Sequence, residues 1–91
     1  MAAPDVSVTL PAALTALFPG CPRQVGVQAA TVAEAMAVLD RRWPGLRDRV
    51  CDGTPGLRRH IRVFVRGDLA GLDTRLGPGD EVLVITAISG G

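Results

Sequence analysis

The residues best suited to chemistry are the last six of the sequence, Thr86-Ala87-Ile88-Ser89-Gly90-Gly91. They follow the apolar run Val82-Leu83-Val84-Ile85 and contain no proline and no charged side chain. Because glycine has no Cβ, a Gly-Gly end can enter a channel that excludes other residues, and a partner can close around its carbonyl group. Six extended residues at ~3.3 Å each reach roughly 20 Å. The pattern indicates either a tail that delivers its terminal carboxylate into a partner or an ordinary frayed chain end.

The other reactive side chains make a weaker case for catalysis. His60 with Asp52 or Asp68 could supply a base, and Cys51 could supply a nucleophile. A catalytic constellation needs a base within hydrogen-bond reach of the nucleophile and a third group that orients the base, and the chain has only one histidine. His60 directly follows two arginines, so we interpret it as a solvated residue at the start of a strand. We therefore predict that no side chain of this protein is catalytic.

Composition limits the class of protein. A chain of 91 residues, 47% apolar and 21% charged, suits one globular domain with a modest core. The interrupted apolar runs and the first five residues predict neither a membrane helix nor a signal peptide, and hence a cytoplasmic protein without a membrane partner. Cys21 and Cys51 have no histidine or cysteine at ligand spacing, which predicts free thiols and no metal site. A net charge of +1 and three aromatic residues argue against nucleic-acid binding.

The first half of the chain predicts a hairpin followed by a helix. Alternating apolar and polar residues indicate a strand over Val6–Leu10, a short helical turn follows in residues 12–18, and a weaker strand lies at 23–27. Thr31 and Glu34 then have the spacing of a capping box, which opens a helix. Its apolar stripe comprises Val32, Ala35, Met36, Leu39 and Trp43, and Pro44-Gly45 ends it.

The second half completes a sheet. Residues 46–51 suggest one short turn of helix, and strands are expected at 61–66 and 81–85. Between them a short strand or bend is expected over 69–76, with Leu72 and Leu76 buried. One main helix can cover only one face of one sheet. The order therefore predicts an α+β, β-grasp (ubiquitin-like) fold with a mixed sheet of four to five strands and the last strand beside the first. Residues 1–85 would form the domain, and residues 86–91 a flexible C-terminal tail.

The last strand also predicts a docking face. If its valines point inward, Leu83 and Ile85 face outward, as does Phe64 on the strand expected beside it. Arg62 and Arg66 share the face of Phe64. An apolar centre with a basic rim is a composition that protein interfaces favour, although scattered surface hydrophobicity would produce the same pattern.

Taken together, these features resemble the ubiquitin-like sulfur carrier proteins. The motifs that carry the resemblance are the Thr-capped helix, Gly79-Asp80-Glu81-Val82 at the last strand, and the terminal Ser89-Gly90-Gly91. The family includes the small subunit of molybdopterin synthase, the thiamine sulfur carrier and the bacterial carrier for cysteine synthesis. The loop around Asp52–Gly56, followed by Leu57-Arg58-Arg59-His60, is most similar to the cysteine-synthesis carrier and its actinobacterial relatives. Arg66-Gly67 departs from the pattern, because many members have Asn before this turn.

The resemblance implies a carrier rather than an enzyme. An E1-like activating enzyme would use ATP to adenylate Gly91, without any cofactor bound to the carrier, and a persulfide or sulfide source would convert the adenylate to a thiocarboxylate. A biosynthetic enzyme would accept that sulfur for cysteine, molybdopterin or a thio-metabolite. Ile88, Ser89 and Gly90 would thread into these partners, and the sheet face would contact the activating enzyme. Two alternatives stay open: a ubiquitin-like modifier conjugated through Gly91, and a non-catalytic β-grasp binding module.

Overall fold

A five-stranded mixed sheet forms the frame of the molecule, and the computed structural model describes residues 3–51 and 60–86. The strands are β1 (Asp5–Thr9), β2 (Gln24–Gln28), β3 (Ile61–Val65), β4 (Asp68–Ala70) and β5 (Glu81–Thr86), and the helices are α1 (Ala12–Thr15), α2 (Val32–Arg42) and α3 (Leu46–Val50). The strand order across the sheet is β2-β1-β5-β3-β4. Only the β1–β5 pair is parallel, which makes the sheet mixed and confirms the predicted β-grasp fold.

The two ends of the described chain meet at the centre of the sheet. β1 and β2 form the predicted antiparallel hairpin, in which Val8 pairs with Val25. On its other side Val8 pairs with Val82 of β5, and the Ser7 N–H donates to the Asp80 carbonyl over 3.0 Å. Each of these strands alternates buried and more accessible residues, so one face of the sheet is buried while the other faces outward.

Helix α2 begins where the capping motif predicts. The Thr31 hydroxyl accepts a hydrogen bond from the Glu34 N–H over 3.2 Å, which satisfies one of the free donors of the first turn. The Glu34 carboxylate accepts from the N–H of Ala30 over 3.1 Å, one residue earlier than in the standard capping box. The helix ends at Arg42, because Trp43 leaves the helical conformation at φ −131° and ψ 84° ahead of Pro44.

The core lies between α2 and the buried face of the sheet. Four of the five residues predicted for the helix stripe are fully buried, and Trp43 is half-buried and packs against the core from its edge. The segment between β4 and β5 also contributes, since Leu76 is buried as predicted. Leu72 was predicted to be buried as well, but it is only partly covered. No polar or charged side chain is buried among the described residues.

Loss of the α2 cap gives a first prediction. Substitution Thr31→Ala removes the oxygen that accepts from the Glu34 N–H, and it is expected to lower the free energy of unfolding by about 1 kcal/mol. Urea unfolding followed by circular dichroism measures this change. Thr31→Ser keeps the hydroxyl and should stay close to the wild type. Equal losses for the two variants would contradict a role for the hydrogen bond.

Candidate docking face and C-terminal segment

β5 leads directly into the segment for which chemistry was predicted. The strand is held on both sides, by β1 along Glu81–Leu83 and by β3 up to the pair between Ile61 and Thr86. Thr86 is the last described residue and belongs to β5. The predicted modified residue Gly91 and the threading residues Ile88, Ser89 and Gly90 lie outside the described residues. The structure therefore defines the anchor of this segment, which is a strand held by neighbours on both sides.

An apolar row crosses the outward face of the sheet. Phe64 pairs with Leu83 of β5 on one side and with Leu69 of β4 on the other. Leu83 is 37% exposed, Leu69 is 66% exposed and Phe64 is partly covered. We use the term apolar row for these three residues. Exposed apolar residues that stand side by side mark an interaction surface more strongly than scattered ones do.

The remaining residues of the predicted docking face divide into two groups. Arg62 is exposed and pairs with the half-buried Ile85, so both stand next to the apolar row. Arg66 lies beyond the end of β3, and its guanidinium forms an ion pair with Asp80. The Asp80 carboxylate also accepts the N–H of Gly77 over 2.7 Å. Arg66 therefore ties two neighbouring turns together at the edge of the face, and Arg62 is the basic residue that borders the apolar row.

The turn between β3 and β4 explains the unusual residue at position 66. Val65 pairs with Asp68, so only Arg66 and Gly67 connect the two strands. Their φ angles are 55° and 85°, as a type I′ turn requires at both central positions. Asparagine tolerates this left-handed region better than most residues, which is why it is common before glycine in such turns. Arg66 takes the same conformation, and its ion pair with Asp80 holds it there.

Leu69 is the member of the apolar row that the sequence-based prediction missed. The alternation of apolar and polar residues cannot show which way Leu69 faces, because β4 has only three residues and shows little alternation. The signal was in the turn: a two-residue hairpin loop at Arg66-Gly67 pairs Val65 with Asp68, and therefore pairs Phe64 with Leu69. The structure extends the predicted face by one strand.

The alternative chemistry finds little support in the described residues. His60 is exposed, Cys51 is buried, and the proposed partner Asp52 lies outside the described residues. Burial raises the pKa of the Cys21 thiol, which disfavours the reactive thiolate, and neither cysteine is in a disulfide.

In residues 3–51 and 60–86, no three potential metal ligands stand together. None of the helices in these two ranges has the length and apolar character needed to cross a bilayer.

Comparison with solved structures gives the same fold. The chain is 28% identical to CysO in the BexX/CysO complex of Amycolatopsis orientalis, with a TM-score of 0.84 and coverage of 94% of this chain and 99% of that one. For SAMP1 of Haloferax volcanii the identity is 33%, the TM-score 0.77 and the coverage 96% and 99%. For CysO of Mycobacterium tuberculosis, described as an antigen, the values are 26%, 0.81, 91% and 99%.

Comparison with protein families gives a direct assignment. Residues 9–91 match the model of the ThiS family, a range that begins in β1 and includes the whole C-terminal segment. A search of curated proteins gave no significant match. The loop that suggested the cysteine-synthesis carrier lies mainly outside the described residues, but two CysO structures are among the neighbours. With a matching family model, a β-grasp fold and neighbours of the same type, this chain belongs to the ThiS family of ubiquitin-like sulfur carriers.

Proposed function

We propose that this protein carries sulfur as a thiocarboxylate on Gly91. The observation that carries the proposal is the match of the sulfur carrier family model through Gly91 itself. A carrier needs a rigid anchor next to a narrow reactive end, and β5 pairs with β1 over Glu81–Leu83 and with β3 as far as Thr86. The segment beyond it ends in two glycines, which suit a channel around the reacting carbonyl.

The chemistry follows from the poor reactivity of a carboxylate. Attack of the Gly91 carboxylate on the α-phosphate of ATP gives a mixed anhydride with AMP and releases pyrophosphate. Sulfide, from a dedicated donor, then attacks the activated carbonyl, and AMP leaves with the electrons of the broken bond. The product is a thiocarboxylate whose sulfur is a soft nucleophile for an accepting biosynthetic enzyme. In this scheme the activating enzyme supplies catalysis and ATP, and the carrier supplies the reacting group in the cytoplasm.

The apolar row is proposed as the contact for the activating enzyme. It lies on β3, β4 and β5, so it shares a strand with the anchor of the reactive segment. A partner that covers Leu83 and Phe64 would therefore contact the same strand that leads to Gly91. Arg62 would add a charged contact at the rim, where an arginine favours specificity and association rate over affinity.

Intact-mass spectrometry tests the carrier chemistry. The protein is incubated with ATP, sulfide and a purified bacterial activating enzyme of this type, beside a variant that lacks Gly91. We expect a mass gain equal to the exchange of one oxygen for sulfur in the wild type and no gain in the variant. The Leu17→Ala variant, altered just after α1 and outside the apolar row, serves as the matched control and should react as the wild type does. An unchanged mass with several competent activating enzymes would refute the proposal.

Conjugation to other proteins is the second candidate function. The observation that favours it is the 33% identity to SAMP1 of Haloferax volcanii, since a second SAMP1 structure is named as a small archaeal modifier protein. The two functions share the adenylation step, so they differ only in what attacks Gly91. All ten basic residues of this chain are arginine, so one copy cannot accept another through a lysine. A modifier would therefore give targets that carry separate single copies, whereas a carrier would give the thiocarboxylate alone.

A further inference from the structure

In the part of the chain that the structure describes, the sheet has one open edge, at β2. The strand order places β2 and β4 at the two edges, and β4 is protected by its length of three residues. β2 has five residues, Gln24-Val25-Gly26-Val27-Gln28, and it contains no proline and no charged residue. Proteins commonly protect long edge strands with such residues. β2 is therefore the strand of this sheet best able to accept another strand.

The backbone groups of β2 that face the free edge can be identified. The Ser7 N–H donates to the Asp80 carbonyl on the β5 side over 3.0 Å, so the backbone of Ser7 is directed away from β2. Ser7 is paired with Gly26, and this pair is a non-hydrogen-bonded one. The N–H and C=O of Gly26 thus point outward. Consistent with this direction, the Gly26 carbonyl accepts a hydrogen bond from the Arg42 guanidinium over 3.2 Å.

An open groove of about 560 Å³ runs between this edge and the C-terminal half of α2. Its apolar side chains are those of the buried Val6 and Val27 and the half-buried Val38. The exposed guanidinium groups of Arg41 and Arg42 stand at the α2 side. The only acidic residue among the lining residues is Asp5, at the end of β1. The groove therefore combines an apolar floor, an open strand edge and an excess of positive charge.

We propose that β2 binds an extended segment of a partner protein that adds a sixth strand to the sheet. Main-chain hydrogen bonds to Gly26 would give affinity, and alternate apolar side chains of the segment would enter the groove above Val27 and Val38. An acidic residue beside that apolar stretch would pair with Arg41 and Arg42. A donor N–H of the segment takes the place of the Arg42 guanidinium at the Gly26 carbonyl, which frees Arg42 for the carboxylate.

Charge decides between a partner segment and a second copy of this chain. Pairing of two β2 strands would bring Gln24–Gln28 of each copy together, and this stretch contains no carboxylate to meet the arginines. A partner segment with an acidic residue beside an apolar stretch supplies a carboxylate for the arginines and apolar side chains for the groove. The site is also separate from the apolar row, because β1 lies between β2 and β5, which is the nearest strand of the row. A partner at β2 could bind while an activating enzyme holds the apolar row.

Nuclear magnetic resonance titration of the full-length ¹⁵N-labelled protein tests the proposal. The probe is a synthetic, end-blocked peptide with alternating valine and threonine followed by three glutamates, and the control peptide has lysines in place of the glutamates. We expect the acidic peptide to shift the Gly26 and Gln28 amide signals and to slow hydrogen exchange at Gly26. The lysine peptide should bind at least about tenfold more weakly. Equal binding of the two peptides, or no shift at Gly26 with either, would refute the proposal.

Two substitutions at Gly26 test whether the peptide binds through the backbone of the strand edge. Gly26→Pro removes the outward N–H and leaves the hydrogen bonds between β1 and β2 intact, so the acidic peptide should bind about tenfold more weakly. Gly26→Ala keeps the N–H, and its Cβ would meet no atom within 4 Å, so it should bind as the wild type does. Independently, Arg41→Glu with Arg42→Glu should abolish the preference for the acidic peptide. Retained preference in that variant, or self-association through β2 in the absence of peptide, would contradict the proposed partner.

Discussion

Replacing Phe64 with aspartate is expected to weaken productive binding of the activating enzyme by about 30-fold to 700-fold, the equivalent of about 2–4 kcal/mol. Phe64 is the middle residue of the apolar row and pairs with both of the other members. Aspartate there would put a charge at the centre of the contact, where an interface is desolvated. The measurement is the KM for the carrier in ATP-dependent thiocarboxylate formation, with kcat expected to change little.

The control for this prediction uses two exposed leucines. Leu69 is 66% exposed and belongs to the apolar row, whereas Leu17 is 53% exposed, lies just after α1 and is not part of the row. Leu69→Asp should raise KM in the same way as Phe64→Asp, although by less, because Leu69 stands at the end of the row. Leu17→Asp should leave KM close to that of the wild type. Equal effects of the two leucine variants would mean that general surface hydrophobicity, not this face, determines binding.

Replacing Leu39 with alanine is expected to lower the free energy of unfolding by about 2–5 kcal/mol. Leu39 is fully buried on α2 and is among the largest fully buried side chains of the core. The truncation removes apolar contact and leaves a cavity that neighbouring residues fill only in part. Small domains have a total stability of about 5–15 kcal/mol, so this single change would remove a large share of it.

Urea and thermal unfolding measure the loss at Leu39. For a domain of this size the melting temperature should fall by about 4–8 °C for each kcal/mol lost. Leu39→Met nearly conserves the volume and should cost less than about 1.5 kcal/mol. A loss in Leu39→Ala no larger than that in Leu39→Met would show that the helix packs loosely on the sheet.

The elements with strong local signals were predictable from the sequence. The alternation of Val6–Leu10, the capping motif at Thr31 and the apolar stripe of α2 each point to one structure, and the structure has all three. The β-grasp arrangement followed, because one main helix can cover only one sheet. The residues predicted for the docking face lie on the outward face of the sheet, except Arg66, which stands in a turn and contacts Asp80.

The features that were not predictable depend on pairing between distant segments. Leu69 enters the apolar row through the register of the β3–β4 hairpin, and β4 is too short for a pattern of its own. The Glu34 carboxylate accepts a hydrogen bond from the Ala30 N–H. Next to it, Val32 and Thr31 form backbone contacts with the segment at 74–75. The open edge of β2 follows from the strand order and from the direction of the Ser7 backbone. Local patterns predict which face of a strand is buried, and only the assembled sheet defines its edges.

The parallel pairing of β1 with β5 has a consequence for synthesis of the protein on the ribosome. β1 emerges well before β5, yet the two strands lie side by side in the middle of the sheet. Such distant pairing delays folding until the final strand is available. A nascent chain that stops before β5 lacks a central strand and cannot close its core, so it remains a target for proteases. Folding thus requires that a copy has been translated through β5, the strand that leads into the C-terminal segment.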